Sequence, residues 1–179
     1  MTIPNILSLF RIFLIPLFLI VYLTQDNQPY FMISALILLV SGITDVLDGY
    51  IARKYKMTSE LGKILDPLAD KMTQIAILAA LVIKHPQLLW VVAIYLSKEL
   101  AMLIGGLIIL RKNIPMASSK WFGKIGTLLF YAATFVVIAF PNLLSENAIF
   151  MLIGAVTLYM LFTLAMYIPV FFRLKKKSK

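Results

Sequence analysis

The sequence predicts an all-α integral membrane protein with six transmembrane helices in a single domain, residues 1–179. Apolar residues make up 61% of the chain, well above the share found in a soluble globular domain. They are gathered in six runs close to the ~20 residues that an α-helix needs to cross a bilayer. The breaks between these runs alternate between basic and nearly uncharged, as in proteins that cross a membrane several times.

Run length places the six helices in order. The predicted spans are roughly Leu7–Leu23, Tyr30–Ile51, Leu61–Ile83, Leu88–Leu110, Trp121–Phe140 and Ala148–Phe172. The segment Thr2–Arg11, which leads into the first run, has two interpretations. Pro4 suits the first turn of a helix and the segment is modestly amphipathic, which favours a short N-terminal interfacial helix. Alternatively, the segment is the beginning of the first span.

The distribution of basic residues predicts the orientation. Most of them lie in the second and fourth breaks, Arg53–Ser59 and Arg111–Lys120, and at the C-terminus, whereas the other breaks carry only Lys84. The positive-inside rule therefore predicts a multi-pass protein of the cell (plasma) membrane, with both termini and the aspartate-rich turn in the cytoplasm. The net charge of +9 sits at the ends of apolar runs, so we expect membrane lipids rather than nucleic acid as partners.

Four aspartates lie at the predicted second turn. Asp45 and Asp48 are three residues apart, and Asp66 and Asp70 are four apart, so each pair shares one face of a helix. Two helices joined by the turn would direct four carboxylates into one pocket. Carboxylates at membrane depth are costly, and divalent cations bound by hard oxygen ligands would neutralise them. The alternative is an ion-pair cluster, with the cations supplied by Arg53, Lys63 and Lys71.

The spacing of these residues also resembles a known signature. The pattern D-x-x-D-G-x-x-A-R-x8-G-x3-D-x3-D, complete between Asp45 and Asp70, is similar to that of the CDP-alcohol phosphotransferases, also called CDP-alcohol phosphatidyltransferases. Chain length and helix number are similar too. The resemblance implies two divalent cations, Mg²⁺ or Mn²⁺, held by Asp45, Asp48 and Asp66. It also implies that Asp70 is a further metal ligand and the catalytic base.

The resemblance further implies a binding site for CDP-diacylglycerol as the phosphatidyl donor. The residues expected to contact its nucleotide are Thr44, Asp48, Gly49, Ala52, Arg53 and Gly62. Glycine in a helix costs about 1 kcal/mol relative to alanine, so each glycine needs a local reason. Close approach of a planar base is one reason and helix packing is the other. Arg53 either reaches the pyrophosphate or extends to the membrane interface.

Three lysines are candidates for binding the acceptor. Lys98 and the segment that contains Lys120 and Lys124 resemble the glycerol 3-phosphate branch of the family, the bacterial phosphatidylglycerophosphate synthases. The alternative is a Lys98–Glu99 salt bridge together with ordinary cytoplasmic lysines. Two departures weaken the match, because Gly106 and Gly126 stand where that branch has cations. Cardiolipin synthases of the same superfamily, which accept phosphatidylglycerol, also lack these cations.

The reaction implied is transfer of a phosphatidyl group from CDP-diacylglycerol to a glycerol-type hydroxyl. With glycerol 3-phosphate as acceptor, the products are phosphatidylglycerophosphate and CMP; the alternative is cardiolipin synthesis. A transporter would instead spread its carboxylates through the bilayer and repeat its motifs in two inverted halves. The aspartates crowd at one edge, and the halves share no motif, which favours the enzyme. A homodimer is an open alternative to a monomer.

Overall fold

The chain folds into long α-helices, with no strand in the part that the structure describes. A computed structural model describes residues 2–24, 26–55, 57, 59–111 and 121–177. At residues 53, 60, 63, 105–111 and 170–177 it describes the backbone but not the side chain. The helices are α1 (Ile3–Thr24), α2 (Gln28–Lys54), α3 (Glu60–Lys84), α4 (Leu89–Arg111), α5 (Trp121–Ala139) and α6 (Glu146–Lys177). Short 3₁₀ turns at Pro86–Leu88 and Pro141–Leu143 precede α4 and α6. The all-α prediction is confirmed.

Five of the described helices are long and apolar enough to cross a membrane: α1, α2, α4, α5 and α6. Helix α3 has 25 residues, about 37 Å at 1.5 Å per residue, but it carries Asp66, Asp70, Lys71 and Lys84. The protein is therefore an all-α membrane protein, and α3 as the sixth span stays a prediction. This helix carries half of the predicted site, which explains why it is the least apolar.

Helix α1 is continuous from Ile3. The segment before the first apolar run is therefore the beginning of the first helix and not a separate interfacial helix. Residues three or four positions apart form its buried face: Pro4, Asn5, Ser8, Arg11, Leu14, Phe18 and Tyr22. This face is polar in its first half and apolar in its second. Such a pattern requires polar partners at one end of the helix and a hydrophobic core at the other.

The chain forms two compact units. The first contains Met1–Pro86 and Thr134–Ser145, and the second contains Gln87–Ala133 and Glu146–Lys179. In the first unit, α1 packs against both α2 and α3. In the second, α4 packs against α6, and Phe122 of α5 meets Tyr167 of α6 edge to face, with ring centroids 4.8 Å apart. All four motif aspartates belong to the first unit.

Candidate metal and catalytic site

Three of the four motif aspartates converge. Asp45 and Asp48 lie in the last part of α2, and Asp66 lies in the first part of α3. Each offers a carboxylate oxygen, and the three oxygens lie within 4.8 Å of one another. Asp48 is the most buried, with 2% of its side chain exposed, against 32% for Asp45 and 46% for Asp66. The cluster thus has one carboxylate in the protein interior and two that are partly exposed.

The counter-cation of this cluster is Arg11, on the polar half of the buried face of α1. Its guanidinium donates through Nη1 to Asp45 Oδ1 and through Nη2 to Asp48 Oδ2, each at 2.5 Å. Nη1 also lies 3.7 Å from Asp66 Oδ1. The Arg11 side chain is completely buried. A planar guanidinium suits this arrangement because its two terminal nitrogens can bind two carboxylates at once.

The carboxylate oxygens left over after these contacts suit a divalent cation. Asp48 Oδ1 and Asp66 Oδ1 are buried and have no hydrogen-bond partner among the described residues. Buried polar atoms nearly always form hydrogen bonds in folded proteins, so two acceptors of one cluster that receive none from the described residues suit a bound ligand. Three carboxylates and one guanidinium leave a formal charge of −2, from −3 and +1. Hard oxygens with that residual charge match the preferences of Mg²⁺ or Mn²⁺.

Asp70 lies one helical turn after Asp66 and outside the group of three. Gln74, itself buried, donates from Nε2 to both of its oxygens, at 3.1 and 3.3 Å. The amide therefore fixes the orientation of the Asp70 carboxylate. An oriented carboxylate suits a proton acceptor, and the role of Asp70 as base and metal ligand stays a prediction.

A second set of contacts attaches α1 to the beginning of α3. Ser59 is the N-cap of α3, and its Oγ accepts a hydrogen bond from the Gly62 amide at 3.0 Å. The same hydroxyl donates to Asn5 Oδ1 at 2.9 Å. A Cβ at Gly62 would lie 2.6 Å from Asn5 Oδ1, so only glycine fits without movement. Helix packing thus accounts for Gly62, and its predicted contact with the donor stays a prediction.

The other residues predicted to bind the donor lie on α2. Thr44 is buried, and its hydroxyl donates to the Ser41 carbonyl at 2.7 Å. Gly49 and Ala52 are half-buried, one and two turns beyond Asp45. The Arg53 side chain lies outside the described residues. Thr44, Gly49 and Ala52 therefore lie on the same helix as Asp45 and Asp48, and their contact with the donor stays a prediction.

Two of the predicted acceptor-binding lysines, Lys98 and Lys124, belong to the second unit. Lys98 forms an ion pair with Glu99, as the alternative interpretation expected, and its Nζ lies 5.1 Å from the centre of the Tyr95 ring. Lys124 is exposed on α5, and Lys120 lies outside the described residues. A Cβ at Gly126 would lie 3.5 Å from the ring of Tyr159 on α6. A longer side chain at position 126 would therefore have to displace that ring.

The sequence matches a known family over far more of the chain than the aspartate motif. The sequence profile described as CDP-alcohol phosphatidyltransferase matches residues 1–172, which include parts of both units. The chain belongs to this family. One relative, the CDP-diacylglycerol--glycerol-3-phosphate 3-phosphatidyltransferase of Haemophilus influenzae, is 37% identical over 125 residues, covering 69% of this chain and 60% of the relative.

Two further relatives carry different names. The Salmonella typhimurium protein named CDP-diacylglycerol--glycerol-3-phosphate 3-phosphatidyltransferase is 37% identical over 152 residues, covering 82% of this chain and 81% of the relative. The cardiolipin synthase (CMP-forming) of Streptomyces coelicolor is 36% identical over 153 residues, covering 82% of this chain and 66% of the relative. The chain thus spans less than two thirds of the Haemophilus and Streptomyces proteins.

Sequence reasoning missed Arg11, the residue that contacts the family's aspartates most closely. Of the three cations considered as partners, Lys71 donates to Gln74 at 3.3 Å, and the Arg53 and Lys63 side chains lie outside the described residues. The alternative of an ion-pair cluster named Arg53, Lys63 and Lys71, whereas the cation that the described residues place against Asp45 and Asp48 is Arg11 of α1. The signal was present, because Asn5, Ser8 and Arg11 recur every three residues in an apolar run, and a buried arginine needs an anion.

Proposed function

We propose that this chain is a metal-dependent CDP-diacylglycerol:alcohol phosphatidyltransferase of the cytoplasmic side of the cell membrane. By homology we assign glycerol 3-phosphate as its acceptor, which gives phosphatidylglycerophosphate and CMP. The observation that carries the proposal is the convergence of three carboxylates of the family motif within 4.8 Å. The names of the Haemophilus and Salmonella relatives support the choice of acceptor.

The proposed reaction assigns separate roles to the four aspartates. Asp45, Asp48 and Asp66 would hold two divalent cations, Mg²⁺ or Mn²⁺, with Asp70 as a further ligand. When bound, the cations neutralise charge on the phosphoryl group that is transferred. The acceptor hydroxyl oxygen forms a bond to the phosphorus of the phosphatidyl group as the bond from that phosphorus to the CMP oxygen breaks. Asp70 takes the hydroxyl proton, and Gln74 keeps its carboxylate oriented for this step.

The donor is a lipid with a nucleotide headgroup, which suits a site formed by membrane helices. Residues of α2 that follow the metal ligands would contact the nucleotide: Thr44, Gly49, Ala52 and Arg53, together with Asp48 and with Gly62 of α3. The Lys and Arg asymmetry of the breaks supports a cytoplasmic position for this site and for both termini. Homodimerisation is a separate proposal that light scattering of the purified protein would test.

Cardiolipin synthesis is the second candidate, and a specific observation favours it. Gly126 packs against Tyr159 and Thr163, so α5 offers no cation at the position where the glycerol 3-phosphate branch has one. The Streptomyces relative carries the name of this activity. Lys98, Lys120 and Lys124 remain as ligands for an acceptor phosphate, and we therefore place glycerol 3-phosphate first.

A parallel assay with three acceptors tests the proposal. Purified protein receives CDP-diacylglycerol, Mn²⁺ or Mg²⁺, and either glycerol 3-phosphate, phosphatidylglycerol or inositol phosphate, and mass spectrometry identifies the lipid product. Phosphatidylglycerophosphate as the main product is the expected result. Cardiolipin as the only product would show that the acceptor is phosphatidylglycerol and not glycerol 3-phosphate. Absence of CMP release with all three acceptors would reject the proposed activity.

A further inference from the structure

We propose that Arg11 is a built-in counter-cation of the metal site, which stabilises the aspartates while no metal is bound and competes with metal for them. This inference rests on the proposed metal site. It assigns Arg11 a positioning role and not a place among the groups that touch the substrate. It also makes α1, which lies outside the family motif, part of the metal-binding machinery.

Arg11 is buried and lies within 4 Å of all three carboxylates of the cluster. The guanidinium is completely buried, and its two terminal nitrogens each bind one carboxylate at 2.5 Å. The third carboxylate oxygen, Asp66 Oδ1, lies 3.7 Å away. The guanidinium therefore lies at the meeting point of the three carboxylates that would hold a metal.

Charge explains why the metal-free protein needs this cation. Three carboxylates within 4.8 Å repel one another strongly in a partly buried site. Arg11 reduces the formal charge from −3 to −2, which allows the cluster to stay assembled before metal arrives. A surface lysine would not serve equally well, because a planar fork binds two carboxylates in a fixed geometry.

The same contacts oppose metal binding. Asp45 Oδ1 and Asp48 Oδ2 are each used by Arg11, and both are oxygens that a metal would otherwise bind. A guanidinium at this distance also repels a divalent cation. Among the described residues, Asp48 Oδ1 and Asp66 Oδ1 are the buried oxygens of this cluster that accept no hydrogen bond. Arg11 therefore lowers the affinity for metal as it stabilises the metal-free fold.

Removing the charge of Arg11 should separate these two effects. In the detergent-purified Arg11→Met variant, we expect the melting temperature in excess chelator to fall by on the order of 10 °C, since a buried ion pair is broken. Saturating Mn²⁺ should raise that temperature by more than it does in the wild type. The dissociation constant for Mn²⁺, measured by electron paramagnetic resonance of the free ion, should fall roughly tenfold or more.

Lys84→Met is the matched control. It removes one positive charge from the same unit, at the opposite end of α3 from Asp66, about 27 Å along the helix at 1.5 Å per residue. Lys84 is ion-paired with Asp26, and its Nζ lies 5.1 Å from the Tyr22 ring centre. This variant should lose stability equally in chelator and in Mn²⁺, with an unchanged dissociation constant.

These measurements distinguish a failure of the proposed role of Arg11 from a failure of the proposed metal site. A Mn²⁺ response of the same size in the wild type and in Arg11→Met would overturn the role of Arg11 and leave the metal site intact. No response in either protein would overturn both the metal site and the role of Arg11. If Arg11→Met folds only with Mn²⁺ present, the inference is supported. If it does not fold at all, Arg11→Gln decides, because its amide removes the positive charge and can still donate hydrogen bonds to a carboxylate: a Mn²⁺ response equal to that of the wild type overturns the inference.

Discussion

Replacing Gly62 by alanine should destabilise the protein by inserting one carbon where α1 meets the beginning of α3. The new Cβ would lie 2.6 Å from Asn5 Oδ1 and 3.0 Å from Ser59 Oγ. A carbon–oxygen contact normally needs about 3.3 Å, so Asn5 would have to move by roughly 0.7 Å. Asn5 is almost completely buried and accepts the Ser59 hydroxyl hydrogen bond at 2.9 Å, so this movement strains the cap of α3.

The expected size follows from three contributions. Overpacking of a tight site costs about 1–3 kcal/mol, and weakening the Ser59 cap costs about 0.5–2 kcal/mol. Alanine in place of glycine returns up to about 1 kcal/mol through helix propensity. The net loss is therefore about 0.5–5 kcal/mol, which corresponds to a fall in melting temperature of roughly 1–20 °C for a chain of this size.

The assay is thermal unfolding of the detergent-purified protein, followed by circular dichroism in excess chelator so that metal binding does not contribute. Gly42→Ala is the matched control, since a Cβ there meets nothing within 4 Å and α2 should gain about 0.5–1 kcal/mol. Asn5→Ala in the Gly62→Ala background removes the clashing oxygen. The double variant should show an interaction energy of about 1–2 kcal/mol, because the two side chains are in contact.

A Gly62→Ala variant as stable as Gly42→Ala would refute this packing argument. Additive effects of Asn5→Ala and Gly62→Ala would refute the named contact. If Gly62→Ala instead keeps its stability and loses only affinity for CDP-diacylglycerol, the glycine is needed for the donor and not for packing.

Three further predictions address the acceptor, the base and the topology. Lys124→Ala should raise KM for glycerol 3-phosphate about 10–150-fold, since a charged hydrogen bond contributes about 1.5–3 kcal/mol; unchanged KM in steady-state assays would exclude that contact. Asp70→Asn should lower kcat about 10²–10⁴-fold, the usual contribution of a general base, and a kcat within about twofold of the wild type would exclude this role. A cysteine at position 26 should react with a membrane-impermeant maleimide on intact cells, whereas one at position 178 should react only after permeabilisation. Equal labelling from outside at both positions would contradict the topology.

The helices were predictable because a bilayer fixes the length of an apolar run. Hydropathy marks only the apolar part of a helix, so the predicted sixth span ends at Phe172, whereas α6 continues to Lys177. Likewise, the predicted first span begins at Leu7, whereas α1 begins at Ile3. Charged or polar residues extend these helices beyond the apolar run without interrupting their hydrogen bonding.

Within the site, the sequence predicted which residues share a helix face, but it did not predict which helices pack against each other. The three-residue spacing of Asp45 and Asp48 predicts one face, because it depends only on helix geometry. That Arg11, 34 residues before Asp45, meets this face depends on which helices pack together. Asp70 shows the same limit: the four-residue spacing from Asp66 is helical, yet its described hydrogen bonds go to Gln74, outside the group of three carboxylates.

The central claim is that the buried carboxylate of Asp48 supports metal-dependent phosphatidyl transfer, and CMP release tests it most directly. The rate is measured with CDP-diacylglycerol, glycerol 3-phosphate and Mn²⁺ for the wild type, Asp48→Asn and Asp26→Asn, with melting temperatures to verify folding. Asp26 is the control because it is an exposed aspartate of the same unit, paired with Lys84. We expect turnover by the wild type and Asp26→Asn, and none by Asp48→Asn or in excess chelator. Turnover by Asp48→Asn at the wild-type rate, or full activity of the wild type in chelator, would contradict the claim.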